Sequence, residues 1–261
     1  INKKNYHLIT SPDQIDEWIK EAEEDGEVAV DTETSSLDPH QADLIGVSLS
    51  SKIGKACYIP IGHKSKGCLK KEIVIKKLKP ILEDKSIKKI GQNIKFDFIV
   101  LYNQGIKMNS MEDTMLMSYV LDAGKNRHNM DILSEIHLGH KPISFKDIVG
   151  TGKKEINFSD VDLKKAMEYA AEDADITYRL YKIFNKNLKL EKLTNIYEIF
   201  EKPLIKILAF MEIEGIKIDN KFLKALSEKF EKKIKKLKFH KGVLITTNVL
   251  TLLLLVFTLA Q

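Results

Sequence analysis

Cysteine is scarce in this chain. Among 261 residues there are two, Cys57 and Cys68, and their placement matches no metal-ligand spacing and no disulfide framework. They read as ordinary reduced thiols of a cytoplasmic protein. No apolar targeting segment precedes the first strand-like stretch, and there is no internal repeat and no low-complexity run. The chain opens on Ile1, so a native start upstream is expected. Excess charge is also lacking over most of its length. The formal net charge is +5, yet residues 217–241 hold ten lysines against three acids, a local +7, which leaves −2 for the remainder. A near-neutral body must derive any nucleic-acid affinity from local geometry, and the lysine-rich helix reads first as a solvated face. What is present is 43% hydrophobic and 30% charged residues, which suits one sizeable core and a small second unit.

Hydrophobic periodicity orders the chain. YHLI at 6–9 reads as a short strand, followed by a helix with Ser11 or Asp13 near its cap and Trp18 on its apolar face. EVAVDTET (27–34), DLIGVSLSS (43–51) and KACYIPI (55–61) read as strands with short turns, which favour antiparallel neighbours. A helix is predicted over 71–84, a strand over 88–93, then a helix through 96–105. Further helices are expected near 112–122, 129–138, 161–187 and 193–213, with loops at 122–129 and 150–160. Strands first, helices later and one crossover between them predict an α/β protein with a mixed sheet flanked by helices.

Carboxylates carry the chemistry. Asp31 and Glu33 stand one residue apart on a predicted strand, so they share a face. Adjacent carboxylates repel, and at least one pKa rises unless a cation sits between them. A solvated strand end is the bland alternative. Asp97 falls in the first turn of a helix directly after a strand, where the helix dipole alone would favour an acid. Tyr169 and Asp173 are spaced i, i+4 on one helix face.

Taken in order, D-T-E-T-x-S-L-D (31–38), N-x-K-F-D (93–97) and Y-x-x-x-D (169–173) resemble the three motifs of the DEDDy proofreading exonucleases, which have the RNase H-like (DnaQ-like) fold. RHNMDILSEIHLGHKPISFKDIVG (127–150) and FMEIEGIKID (210–219) are similar to bacterial DNA polymerase I, in its 3′–5′ exonuclease domain. The resemblance implies that Asp31, Glu33, Asp97 and Asp173 hold two divalent ions, Mg2+ or Mn2+, for phosphodiester hydrolysis. It implies that Tyr169 orients the attacking water. Leu37 and Phe145 would wedge or stack against terminal bases of a single-stranded or frayed 3′ end of DNA. Gln92, Asn93 and Arg127 would contact backbone or phosphate, although Asn93 also reads as a simple helix cap. Phe96 stands where many relatives carry tyrosine.

The same resemblance divides the chain into an exonuclease domain (1–200), the helical start of a polymerase domain (201–241) and an apolar tail (242–261). No palm or fingers sequence follows, so no polymerase activity is expected from this chain alone. The tail has the length of a membrane span, but a disrupted reading frame is the preferred reading over a tail anchor or a self-associating segment. Two other functions stand beside exonuclease action: a nuclease-inactive DNA-binding or scaffold module, and an RNase D-like RNA exonuclease. The FMEIEGIKID stretch argues against the last.

Overall fold

The computed structural model describes residues 1 and 3–238. The chain forms two compact units, Ile1–Glu214 and Gly215–Gln261. The first is an α/β layer structure. Its strands are β1 (Asn5–Leu8), β2 (Glu27–Thr34), β3 (Leu44–Lys52), β4 (Lys55–Pro60), β5 (Lys88–Gly91) and β6 (Met111–Asp113). They form one six-stranded sheet in the order β1-β4-β3-β2-β5-β6. β2, β3 and β4 run antiparallel through short turns, while β1, β5 and β6 join in parallel. The expected mixed sheet is therefore observed.

Helices cover both sheet faces. α1 (Pro12–Asp25), α2 (Lys71–Glu83) and α3 (Ile94–Asn103) lie on one side. α4 (Thr114–Asp122), α5 (Met130–Leu138), the short α6 (Phe145–Val149) and the long α7 (Leu163–Leu190) lie on the other. The period of two along β2 decides which side each residue meets. Val28 and Val30 enter the core under α1–α3. Ala29 enters the core under α7. Each buried aliphatic of this kind contributes about 1.5–3 kcal/mol. Asp31 and Glu33 continue the α7 side beyond Ala29, and Thr32 continues the α3 side. A register shift between Glu33 and Thr34, where Glu33 pairs with Gly46 and Thr34 with Leu44, then marks a bulge at the strand end.

Ser11 caps α1, with the Gln14 carboxamide accepting from the Ser11 N–H at 3.0 Å. Three segments differ from expectation. The predicted helix near 112–122 is preceded by the three-residue strand β6, whose last residue, Asp113, pairs with Gly91 and caps α4 with its side chain. The predicted loop at 150–160 contains two 3-10 turns, at Gly152–Lys154 and Phe158–Asp160. The predicted helix 193–213 is interrupted: α8 (Thr194–Ile196) runs into a π-helical turn, Tyr197–Glu201, before α9 (Lys202–Glu214). Pro203 lacks the N–H that would bond four residues back, and its ring crowds the carbonyl there, so a regular turn does not close.

α9 packs on α3, with Phe210 edge-on to Phe98 at 5.6 Å, and so belongs to the first unit. In the second unit, residues 220–238 are helical and mostly exposed. No helix among the described residues is long and apolar enough to cross a membrane. The expected apolar tail, 242–261, lies outside the described residues.

Candidate active site

Three elements, β2, α3 and α7, bring acids together at the end of β2. Strand alternation sends Asp31 and Glu33 toward α7, where Asp173 projects back from the middle of the helix. Carboxylate oxygens of these three residues lie within 4.8 Å of one another. Asp97 comes from the other side of the strand, in the first turn of α3, and is outside that trio. Its Oδ1 accepts from the Thr32 N–H at 2.9 Å and from the Thr32 hydroxyl at 2.6 Å. The residue between Asp31 and Glu33 thus clamps the fourth acid beside them.

A left-handed turn makes this possible. Asn93 has φ +60° and ends β5 by starting α3. Asparagine tolerates that conformation better than most residues. Its N–H and that of Ile94 donate to the Asp113 carboxylate at 3.1 and 3.0 Å. The Asn93 side chain makes no cap bond.

Burial makes the cluster electrostatically costly. Glu33, Asp97 and Asp173 are 7%, 3% and 4% exposed. Burial pushes the Asp31 carboxyl up to about 6. Glu33 is raised by burial and then by the charges of Asp31, Asp173 and Asp97. Asp97 is raised by burial and by Asp31, against the two Thr32 hydrogen bonds. Asp173 is raised by burial and by Asp31, against the Tyr169 hydroxyl. Tyr169 is pushed up by burial, then by Asp173, Glu33 and Asp31. All five groups shift in the direction that a nearby cation would reverse.

One oxygen of the cluster has no protein partner: Glu33 Oε1 is buried without a hydrogen bond. A buried, unpaired carboxylate oxygen costs about 1–3 kcal/mol or more. The donors are all oxygens, which suits hard divalent cations such as Mg2+ or Mn2+. The side chains present therefore fit such ions.

A cleft of about 1250 Å3 opens over the acids. Leu37, 92% exposed, and Phe145, 43% exposed, line it as apolar projections. Phe145 stacks on Phe158 with ring centres 6.1 Å apart and planes at 11°. Phe158 in turn lies 6.0 Å from the Tyr169 ring. Gln92, Asn93 and Phe96 also line the cleft. Gln92 is committed to scaffolding, donating to the His128 carbonyl at 2.8 Å and accepting from the Thr114 hydroxyl at 2.5 Å. Arg127 is exposed and does not line the cleft. The resemblance brought no attention to Thr32, Phe158 or Lys146, which also belongs to the cleft wall. Thr32 was findable, since a strand residue between two clustered acids must face the opposite side. Phe158 sits in a polar loop and gives no periodic signal.

α7 places two further buried acids next to Asp173, and helix geometry separates their tasks. Glu172 accepts from Lys3 Nζ and the Ile143 N–H, each at 2.8 Å, and its Oε1 lies 2.8 Å from His140 Nε2. Asp175 accepts from the Tyr6 hydroxyl, the Gly54 N–H and Arg179 Nε at 2.7, 2.7 and 3.0 Å. Both are satisfied by the protein itself. The Asp31–Glu33–Asp173 trio is not.

The sign of the acid shifts sets a pH dependence. A carboxyl whose folded pKa is raised stabilises the fold below its unfolded value, and that contribution disappears as pH rises through the folded value. For Asp31 the window runs from the ordinary 3.8 to about 6. Divalent cations bind the ionised acids and compete with protons. Millimolar Mg2+ is therefore expected to raise Tm clearly at pH 8, with the increment shrinking below pH 6. Thermal unfolding with Mg2+ or EDTA at both pH values checks this. An equal increment at pH 5 and pH 8 would exclude these carboxylates as the binding groups.

A family model described as 3′–5′ exonuclease matches residues 6–189. DNA polymerase I of Rhizobium leguminosarum is 44% identical over 234 residues, covering 82% of this chain and 23% of that protein. The chain spans about a quarter of the length of the curated relatives it matches. Among solved structures, the POL domain of Pol1 from M. smegmatis in complex with DNA primer-template and dNTP aligns with a TM-score of 0.70 and 19% identity, covering 88% of this chain and 36% of that one. Brucella melitensis NrnC with bound Mg2+ aligns with a TM-score of 0.56 and 25% identity, covering 83% and 92%. These neighbours share the DnaQ-like fold.

Proposed function

This chain belongs to the 3′–5′ exonuclease family of DNA polymerase I, and on that premise we propose that it removes nucleotides one at a time from the 3′ end of a DNA strand. The observation that carries the reading is the convergence of the Asp31, Glu33 and Asp173 oxygens within 4.8 Å around a Glu33 oxygen that has no partner. The Mg2+ bound to Brucella melitensis NrnC supports the same choice of ion. Two such ions, when bound, supply an activated water, charge neutralisation at phosphorus and stabilisation of the leaving oxygen.

The protein's own groups do the rest. Asp31, Glu33 and Asp173 would hold one cation, and Asp31 with Asp97 the other. Tyr169 is a poor base, because burial and three neighbouring carboxylates push its pKa upward. Its hydroxyl stays protonated, and its part is to orient the attacking water. Leu37 and Phe145 separate and stack the terminal bases. Stacking reads no sequence, which suits removal of any nucleotide. Gln92 and Asn93 line the strand's path. Arg127 would reach a phosphate only from outside the cleft. Residues from about 201 onward would be the start of the polymerase domain that follows in longer relatives. A cytoplasmic location accords with the free thiols of Cys57 and Cys68.

The test is direct. The purified chain with Mg2+ or Mn2+ should shorten 5′-labelled single-stranded DNA from its 3′ end and release nucleoside monophosphates. A matched RNA strand distinguishes an RNase D-like preference, and binding without hydrolysis would mark an inactive scaffold. Phe145→Ala should weaken strand binding by about 1–3 kcal/mol, the usual worth of one stacked base. That appears as a raised KM with kcat nearly unchanged, measured by steady-state kinetics on single strands.

A further inference from the structure

Behind the acids lies a buried pair that the proposed chemistry does not use. In the sheet, Gly46 of β3 stands opposite Glu33 on one side and Pro60 on the other. Paired residues point their side chains to the same face. A Cβ on Gly46 would fall 2.1 Å from the Tyr58 hydroxyl oxygen and 2.3 Å from its Cζ. The phenol head of Tyr58 therefore fills the space left by the missing side chain, on the Glu33 side of the sheet. Burial raises the Tyr58 pKa, and the Glu33 charge adds to that. The hydroxyl oxygen lies 2.7 Å from His63 Nε2. His63 is 8% exposed, and burial lowers its pKa, so the ring is neutral. The same ring lies 5.6 Å from Phe158, the aromatic against which Phe145 and Tyr169 rest.

We infer that Tyr58 and His63 are a positioning pair, holding the Glu33 carboxylate from behind for cation binding and bracing the Phe158–Tyr169 wall. Two observations support it independently. Glycine at 46 is required sterically, so the phenol's place beside Glu33 is enforced by the backbone. The His63 ring, held by the Tyr58 hydroxyl, packs 5.6 Å from Phe158, which lies 6.0 Å from the Tyr169 ring, so the pair also backs the aromatic wall of the cleft. Groups behind metal ligands act this way generally, and removing one costs about 10–100-fold in metal affinity or activity. The inference rests on the exonuclease reading and extends it to residues that touch neither ion nor strand.

Tyr58→Phe is the test variant, since it keeps the ring over Gly46 and removes only the hydroxyl. Mn2+ binding to the full chain is followed by the loss of the free-ion EPR signal, without DNA. Tyr58→Phe should bind Mn2+ about tenfold more weakly, while its Tm in EDTA falls only by the modest amount that one lost buried hydrogen bond accounts for. On single-stranded DNA its kcat should fall while KM holds. His63→Leu should weaken Mn2+ binding in the same direction, and His63→Gln, whose amide can meet the hydroxyl, should restore it. Unchanged Mn2+ affinity and kcat in Tyr58→Phe would overturn the inference while leaving the exonuclease reading intact. Failure of the unsubstituted chain to bind Mn2+ would overturn both.

Discussion

Asp31→Asn should abolish DNA hydrolysis while making the metal-free protein more stable at pH 8. The activity loss follows from position. Asp31 is the carboxylate whose charge acts on Glu33, Asp97 and Asp173 alike, so it is the one that the two proposed cations would share. Metal-assisted charge stabilisation supplies several kcal/mol, and each ~1.4 kcal/mol is tenfold in rate. A loss of about three orders of magnitude or more in kcat is expected. The stability gain follows from the same charges. Asparagine keeps the shape and removes one anion from a buried cluster. At pH 8, in EDTA, the variant should melt above the unsubstituted protein. Near pH 4 the difference should vanish, because Asp31 is largely protonated there. Rate assays and melting curves at the two pH values read both effects. Opposite signs separate a lost function from a damaged fold. A variant that retains a hundredth of the activity would remove Asp31 from the metal-binding set.

Gly46→Ala should be the most damaging single-methyl change in the sheet. The new Cβ would sit 2.1–2.4 Å from three atoms of the Tyr58 ring and hydroxyl, far inside van der Waals contact. Tyr58 is fully buried and its hydroxyl is engaged with His63, so it has nowhere to turn. Overpacking of this kind costs about 1–3 kcal/mol and occasionally more, and the geometry argues for the upper end. For a chain of this size each kcal/mol moves Tm by about 2–4 °C, so a drop of roughly 6–12 °C is expected. Because Gly46 pairs with Glu33, the surviving folded fraction should also bind Mn2+ less well. In a Tyr58→Ala background the alanine at 46 should cost far less, and a double-mutant cycle measures that coupling. Additive effects of the two substitutions would show that the sheet relaxes around the methyl group instead.

Much of the candidate site was legible because it depends on local periodicity. Spacing alone put Asp31 and Glu33 on one strand face, and Tyr169 with Asp173 on one helix face. Order and context then tied these to Asp97 through a family resemblance. The acid-rich run YAAEDADITYRL did not by itself separate Asp173 from Glu172 and Asp175, whose own partners elsewhere in the fold set them apart. Less legible were features that arise between elements. β6 is three residues long, too short for any pattern to show. The break at Tyr197–Glu201 depends on how one proline meets one turn.

Composition and periodicity by themselves indicated the fold class and the sheet's antiparallel centre, and put Asp31 with Glu33 and Tyr169 with Asp173 on shared faces, because repeating local geometry is written into residue order; joining Asp97 to them took the family resemblance. Only the tertiary structure decided that Thr32 clamps Asp97, that Gln92 serves the scaffold, that Arg127 stays outside the cleft and that Tyr58 and His63 stand behind Glu33. Those relations join residues from different strands and helices. Their distances are set by how the layers pack, and no periodicity along a single segment encodes that.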